Sequence, residues 1–161
     1  MAIKTLEDVL THSLKDLLSA EKQFRDGLNK MAAAAQDETL AQAFREHREV
    51  TIGQIERLER CFELMGRAAR AERCDAAAGL TEEAKEVIEK GGEAPAFDVV
   101  LCGAGRKTEH YEIASYEDAV ACAQKLGRKD VARLLEQTLE EERATAQQLM
   151  EIAEQLSAAP A

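Results

Sequence analysis

Four long stretches of this chain repeat apolar residues at the three- and four-residue spacing of an amphipathic helix, and this pattern limits the fold more than any other feature. Each stretch is roughly 25–30 residues long, which corresponds to about 40 Å of helix. The composition agrees, because Ala, Leu, Glu and Arg are abundant, aromatic residues make up only 4% and Trp is absent. The pattern predicts an all-α protein in which residues 1–161 form one domain.

The apolar positions of the four predicted helices define the faces that we expect to form the core. They are Leu10, Leu14, Leu17, Phe24, Leu28 and Met31 in the first helix (about 5–34); Leu40, Phe44, Leu58 and Phe62 in the second (about 38–65); Val99, Val100, Ile113 and Val120 in the third (about 95–127); and Val131, Leu134, Leu135, Leu149 and Ile152 in the fourth (about 130–156). Thr5 and Asp8 predict a capping box at the start of the first helix, and Asp130 predicts the N-cap of the fourth.

The connections between these helices predict how the helices are arranged. The first and the third connections are short, so each joins two antiparallel helices into a hairpin. Residues 67–94 form a long crossover, with a short fifth helix predicted to start at Thr81 and end at Gly91. Two hairpins joined by one long crossover are typical of a ferritin-like antiparallel four-helix bundle. Two unrelated helical hairpins are the alternative.

Charge and hydropathy exclude several classes of function. The net charge of −10 makes a nucleic-acid partner unfavourable. The N-terminal residues MAIKTLEDVL have no apolar signal region, and no apolar run approaches the ~18 residues of a membrane span. The four cysteines lack metal-site spacing, so we expect reduced, mostly buried thiols and a cytoplasmic protein.

Carboxylates and a histidine interrupt the apolar faces of all four long helices. A buried carboxylate without a partner costs free energy, so such groups must be paired, hydrogen-bonded, protonated or bound to a cation. Several carboxylates that converge repel one another, and a divalent metal bound by oxygen and imidazole ligands relieves that repulsion. The inward-facing residues are Glu21, His47, Glu109, Glu112, Tyr116, Glu141 and Glu142, with Glu141 the best inward member of its acidic run.

Structural explanations compete with metal binding at each of these positions. Glu21 can pair with a neighbouring basic residue at the edge of the bundle. A lone buried His47 is more often hydrogen-bonded than bound to metal, and only the nearby carboxylates favour a ligand. His110 is adjacent to Glu109, so the two side chains cannot face the same point, and one of them is expected to support the ligands from outside.

Several segments resemble the YciF/YciE group of bacterial stress-associated, ferritin-like proteins. They are LLSAEKQ (17–23), AFREHREVTIGQIERLE (43–59), GLTEEAKEVIE (79–89), KTEHYEIASYE (107–117) and LEQTLEEE (135–142). The resemblance covers nearly the whole chain. It implies a rubrerythrin-like four-helix bundle, a homodimer, a dinuclear iron site and a role in the stress response.

The ferritin-like pattern implied by this resemblance is a Glu, an ExxH, a Glu and a second ExxH. Glu21 matches the first element, Glu109 the third and Glu141 the acid of the fourth, and Tyr116 follows Glu109 by seven residues as in many ferritin-like helices.

Neither ExxH motif is intact. Val50 stands near the position expected for the acid of the second helix, and Ala144 stands three residues after Glu141. His47 and His110 are the imidazoles that can substitute for the missing histidines.

These observations lead to one hypothesis and one alternative. The hypothesis is a metal site with iron, dinuclear in its full form, or with manganese or another divalent metal, and with redox chemistry toward oxygen or peroxide. Its ligands are Glu21, His47, Glu109, Glu112 and Glu141, supported by His110, Tyr116 and Glu142. The alternative is a non-enzymatic helical module whose inner polar network is structural and metal-free.

Overall fold

The structure is a computed structural model that describes residues 3–158, and these residues form a bundle of helices. The helices are α1 (Leu6–Ala34), α2 (Glu38–Leu64), α3 (Asp75–Lys90), α4 (Ala96–Lys125) and α5 (Lys129–Ala158). The hairpins α1–α2 and α4–α5 pack together through α2 against α5 and α1 against α4, while α3 packs on α1 and α4. This confirms the predicted four-helix bundle with a helix in the crossover. Within residues 3–158, no helix is long and apolar enough to cross a membrane.

Local sequence signals explain most helix ends. The predicted capping box is confirmed, since Thr5 accepts from the Asp8 backbone N–H and Asp8 accepts from the Thr5 backbone N–H. Gly127 follows α4 with φ of 71°, a left-handed conformation that favours glycine. Asp130 is not the N-cap that we predicted. Helix α5 begins one residue earlier, at Lys129, so Asp130 lies in its first turn. The positive end of the helix dipole stabilises the negative charge of a carboxylate at this position.

The crossover helix starts earlier than predicted. Helix α3 begins at Asp75, so Thr81 lies inside it, although Gly91 ends it as expected. The missed signal is Cys74, whose sulfur accepts from the Ala77 N–H at 3.4 Å and acts as an N-cap. All four cysteines, which lie within the described residues, are buried and unpaired, in agreement with the expected reduced thiols.

Two apolar clusters fill the two ends of the bundle. The first apolar cluster contains Leu14, Leu58 and Leu135, and the second contains Phe44, Leu101 and Leu149, among other residues. Between them lies a polar layer formed by Glu21, His47, Thr51, Gln54, Glu109, Glu112 and Glu142, all buried. The polar layer therefore separates the two apolar clusters along the length of the bundle.

The start of α4 differs most from the predicted core. Val100 is 53% exposed, whereas Phe97 and Leu101 are buried, so the apolar face of this turn is rotated from the predicted one. Asp98 is also fully buried, and its carboxylate accepts from the backbone N–H of Gln36 at 2.8 Å and of Asp37 at 3.0 Å. These bonds satisfy free N–H groups at the start of α2, so the first turn of α4 turns a charged residue inward.

Candidate metal centre

Every long helix contributes a buried ionisable side chain to the polar layer. Helix α1 supplies Glu21, α2 supplies His47, α4 supplies Glu109 and Glu112, and α5 supplies Glu142. None of these residues is more than 5% exposed. Their spacing from buried apolar neighbours on each helix, three, four or seven residues, is what turns them inward.

Four of these side chains converge on one point. One ligand atom from each of His47, Glu109, Glu112 and Glu142 lies within 4.8 Å of the corresponding atoms of the other three. His47 Nε2 lies 3.3 Å from Glu109 Oε2 and 3.7 Å from Glu142 Oε2. Atoms of this chemistry at this separation can surround one metal ion.

The hydrogen bond of Thr145 determines which nitrogen of His47 is free. The Thr145 hydroxyl donates its proton to the Glu141 backbone oxygen at 3.1 Å, so toward His47 Nδ1, also at 3.1 Å, it can only accept. Nδ1 therefore carries the imidazole proton and donates to Thr145. The lone pair is then on Nε2, which faces the carboxylates, and this is the tautomer that binds a metal.

Several oxygens of the polar layer have no hydrogen-bond partner among residues 3–158. They are Glu21 Oε2, Gln54 Oε1, Glu109 Oε2, Glu112 Oε1 and Glu142 Oε2, all fully shielded from solvent. Glu109 Oε2 is close to His47 Nε2, but the contact lacks hydrogen-bond geometry. Native proteins leave few buried polar atoms unpaired, so this concentration in one place fits a site that binds a cation.

Burial raises the pKa of every carboxylate in the centre. It raises the pKa of Glu21 to about 8, helped by the charge of Glu142, and that of Glu109 to about 7. The pKa values of Glu112 and Glu142 also rise well above the ordinary range, because each is buried and faces other carboxylates. Without a cation, the centre therefore retains protons that exposed carboxylates lose near pH 4.5.

Two neutral side chains hold the carboxylates in place. Tyr116 is fully buried, and its hydroxyl donates to Glu21 Oε1. The Gln54 amide donates to Glu142 Oε1 and, at 3.1 Å, to Glu141 Oε2. In Glu21 and Glu142 these bonds occupy Oε1 and leave the buried Oε2 without a hydrogen-bond partner among residues 3–158.

Glu141 does not occupy the inward position that the sequence analysis gave it. Its carboxylate forms a bidentate ion pair with Arg57, at 2.7 and 2.9 Å, and its side chain is 29% exposed. Glu142 is the inward residue instead, because it lies seven residues from both Leu135 and Leu149, the buried positions of α5. The prediction followed Leu134, which is only half-buried.

The other unusual positions of the sequence also lie elsewhere than expected. His110 is exposed, since it is one residue, or about 100° of helix, away from buried Glu109, and it does not support the centre. Val50 is 37% exposed and Ala144 is exposed, so neither replaces an inward ligand.

Sequence reasoning missed Gln54 and Thr145. Gln54 follows His47 by seven residues and precedes Leu58 by four, a spacing that could have placed it on the inner face. Thr145 follows Glu142 by three residues, so it lies on the same face of α5 and is expected near the centre once Glu142 is recognised as the inward acid. Its hydroxyl contacts His47, which no pattern within α5 reveals.

The topology and the polar layer together define a ferritin-like helical bundle with a buried carboxylate–histidine cluster. Residues 5–161 match the family described as "Domain of unknown function (DUF892)", and the chain belongs to this family.

Comparison with individual proteins agrees. The chain is 46% identical to Protein YciF of Escherichia coli strain K12 over 154 residues, which are 95% of this chain and 93% of YciF. The crystal structure of the E. coli stress protein YciF matches with a TM-score of 0.95 and 43% identity, covering 98% of this chain and 100% of that one. A protein of Rhodopseudomonas palustris, YcfI, matches with a TM-score of 0.89 and 37% identity, covering 91% of this chain and 94% of that one. The predicted resemblance to the YciF group is thus confirmed.

Proposed function

We propose that this chain is a cytoplasmic, stress-associated protein that binds divalent metal ions, primarily iron, in the polar layer of its bundle. One observation carries the proposal. His47, Glu109, Glu112 and Glu142 bring ligand atoms within 4.8 Å of one another, and each of the three carboxylates keeps a buried oxygen without a hydrogen bond. A cation supplies the missing partner for all of them at once.

The charge of the centre supports two ions. With their protons removed, Glu21, Glu109, Glu112 and Glu142 carry four negative charges, and Arg57 is already paired with Glu141. Because an uncompensated buried charge is costly, two divalent cations balance the centre better than one. We propose that Glu21, held by Tyr116, completes the site for the second ion.

The ligand chemistry fits iron or manganese. Carboxylate oxygens with one imidazole suit these metals, whereas the thiolate ligands that select copper(I) or zinc do not face the centre within the described residues. Ferrous ions bound here would supply electrons, one each, to an oxidant such as dioxygen or hydrogen peroxide. The chain's own residues exclude bulk water, fix the His47 tautomer and hold the carboxylates.

The hydrogen bonds of Tyr116 and Gln54 favour a second candidate, a structural network without metal. Such a network would fix the alignment of the helices and needs no cation. The unpaired oxygens distinguish the two, because a network that evolved only for structure should satisfy them.

Anaerobic titration of the chelator-treated protein with ferrous iron tests the proposal. We expect saturation at about two irons per chain and a rise in melting temperature, since ligand bound at 100 times its Kd stabilises by about 2.7 kcal/mol. Glu142→Ala should abolish uptake at one site or both, whereas the neighbouring Glu141→Ala should retain it. Absence of uptake by the parent, with an unchanged melting temperature, would favour the structural network.

We also propose that the chain forms the homodimer that its resemblance to the YciF group implies. Exposed Val100 lies beside Val87 and Phe97 in a groove between α3 and α4, where a partner surface can cover apolar atoms. Sedimentation equilibrium should give twice the chain mass, and Val100→Glu should weaken the association. A monomeric parent protein would contradict the proposal.

A further inference from the structure

A small cavity lies between α1, α3 and α4 and extends to the metal centre. Its volume is about 20 Å³, and it is partly open to the outside. A cavity needs roughly 10–15 Å³ to hold one water molecule. The space therefore accepts a molecule of one or two heavy atoms. The lining residues are Phe24, Gly27, Leu28, Met31, His47, Leu80, Thr81, Ala84, Thr108, Glu109 and Glu112.

The lining of the cavity changes from apolar to ionisable toward the centre. Leu28, Met31 and Leu80 belong to the apolar part, and ionisable groups of the lining are confined to His47, Glu109 and Glu112, which are themselves part of the centre. The apolar part offers few groups that could replace the hydration shell of an ion. Such a wall favours a small uncharged molecule over a metal ion or a charged substrate.

One buried hydroxyl on the wall lacks a partner. Thr81 Oγ1 is shielded from solvent and makes no hydrogen bond with any described residue. A molecule with an oxygen atom that passes this point can bond to it, so the hydroxyl is available to the contents of the cavity rather than to the protein.

The absence of a side chain at Gly27 keeps the space open. Gly27 on α1 faces Thr81 on α3, and a Cβ atom added at Gly27 would lie 3.8 Å from Thr81 Cγ2, in ordinary van der Waals contact. A methyl group therefore fits, whereas a longer side chain has to extend into the cavity or displace α3. Gly27 is thus the position from which the cavity can be closed with least disturbance.

We propose that this cavity is the access route of a small uncharged oxidant to the metal centre, and that Gly27 and Thr81 set its size limit. The proposal rests on the proposed metal-binding function and adds a route and a selectivity to it. Dioxygen and hydrogen peroxide fit the space, whereas an alkyl hydroperoxide with a branched carbon group exceeds it.

A first experiment needs no metal. Dissolved oxygen is paramagnetic and speeds the NMR relaxation of methyl groups that it approaches. In the metal-free protein we expect a larger effect at Leu28 and Met31 than at Leu10 and Leu14, which are also buried but do not line the cavity. Gly27→Leu should remove the difference. Gly103→Leu is the matched control, since space around Gly103 is open and it does not line the cavity.

A second experiment uses the iron-loaded protein in stopped-flow mixing with oxidants. Gly27→Leu should slow oxidation by hydrogen peroxide and by dioxygen about tenfold, equivalent to about 1.4 kcal/mol, with unchanged iron content. Thr81→Ala, which widens the same point without adding atoms, should speed the reaction of tert-butyl hydroperoxide relative to hydrogen peroxide. Comparison of the two small oxidants shows which of them uses the route.

The outcomes separate the two proposals. If the parent binds no iron, the proposed function is wrong, and the relaxation experiment still decides whether the cavity admits oxygen. If iron binds but Gly27→Leu reacts as fast as the parent, and oxygen still reaches Leu28, the access route is wrong and metal binding stands. Equal relaxation at Leu28 and Leu10 in the parent would also overturn the route.

Discussion

The two apolar clusters and the polar layer are built on the same four helices, yet they differ in what they contribute. The clusters bury aliphatic and aromatic side chains such as Leu58 and Leu135, and their burial stabilises the fold. The polar layer buries carboxylates whose raised pKa values reflect an unfavourable environment. Burial of apolar side chains therefore stabilises the two ends of the bundle, whereas the middle buries groups that cost free energy unless they are paired, protonated or bound to a cation.

The largest effect should come from truncation in an apolar cluster. Leu135 is 1% exposed, so Leu135→Ala should lower the free energy of unfolding by about 2–5 kcal/mol through lost burial and a residual cavity. The loss should be similar with and without metal. Leu6→Ala, at a side chain 46% exposed, is the control and should change stability little. Denaturant unfolding of both variants measures the difference, and equal losses would contradict it.

The polar layer should make the metal-free protein less stable as the pH rises. A carboxyl group with a higher pKa in the folded state stabilises the fold below its unfolded pKa, and the contribution is lost as the pH rises through the folded pKa. The pKa of Glu21 rises from 4.5 to about 8 and that of Glu109 to about 7, so the melting temperature should fall between about pH 4.5 and about pH 8.

Glu109→Gln should reverse part of this loss, because the pKa of Glu109 is about 7 and the substitution removes a charge that the layer carries at pH 8. At pH 8 we expect the metal-free variant to melt above the parent, by about 2–4 °C per kcal/mol gained. Glu56→Gln, on the exposed face of α2, is the control. Calorimetry at several pH values tests both statements, and a parent whose melting temperature rises over this range would refute them.

The smallest effect should come from the bond that orients His47. Thr145→Val retains the shape of the side chain but removes the acceptor for Nδ1–H, so the imidazole tautomer is no longer fixed. We expect metal affinity to fall about tenfold, as is typical when a partner of a ligand is removed. Thr11→Val removes a similar hydroxyl in α1, far from the layer, and should leave metal affinity unchanged in competition titrations with a chelator.

Most of the fold could be predicted from the sequence, because helix periodicity and helix capping depend on residues that are close in the chain. The long helices, the capping box at Thr5 and the end of α3 at Gly91 were all predictable from residues close in the chain. The start of α3 was not, since a cysteine is an unusual N-cap. Asp98 was not predictable either, because the N–H groups that it accepts from belong to residues about 60 positions earlier.

The candidate site was predictable to within one helical position. Glu21, His47, Glu109 and Glu112 lie inside the layer, as their spacing indicated. The choice between Glu141 and Glu142 depends on a rotation of about 100° and on Arg57, which lies on another helix and pairs with Glu141. The spacing of residues along α5 does not reveal that Glu141 pairs with Arg57. The assignment of metal to these residues remains a prediction for the titrations to test.

Asp98 fixes the position of one hairpin relative to the other along the axis of the bundle. It links the connection between α1 and α2 to the first turn of α4, so the hairpins cannot slide past each other without breaking two hydrogen bonds to a buried carboxylate. Glu109 and Glu112 lie about three to four turns farther along the same rigid helix. A slip of one turn, about 5.4 Å, would carry them out of reach of His47. The alignment of the centre is thus set at a distance, by a residue that does not touch it.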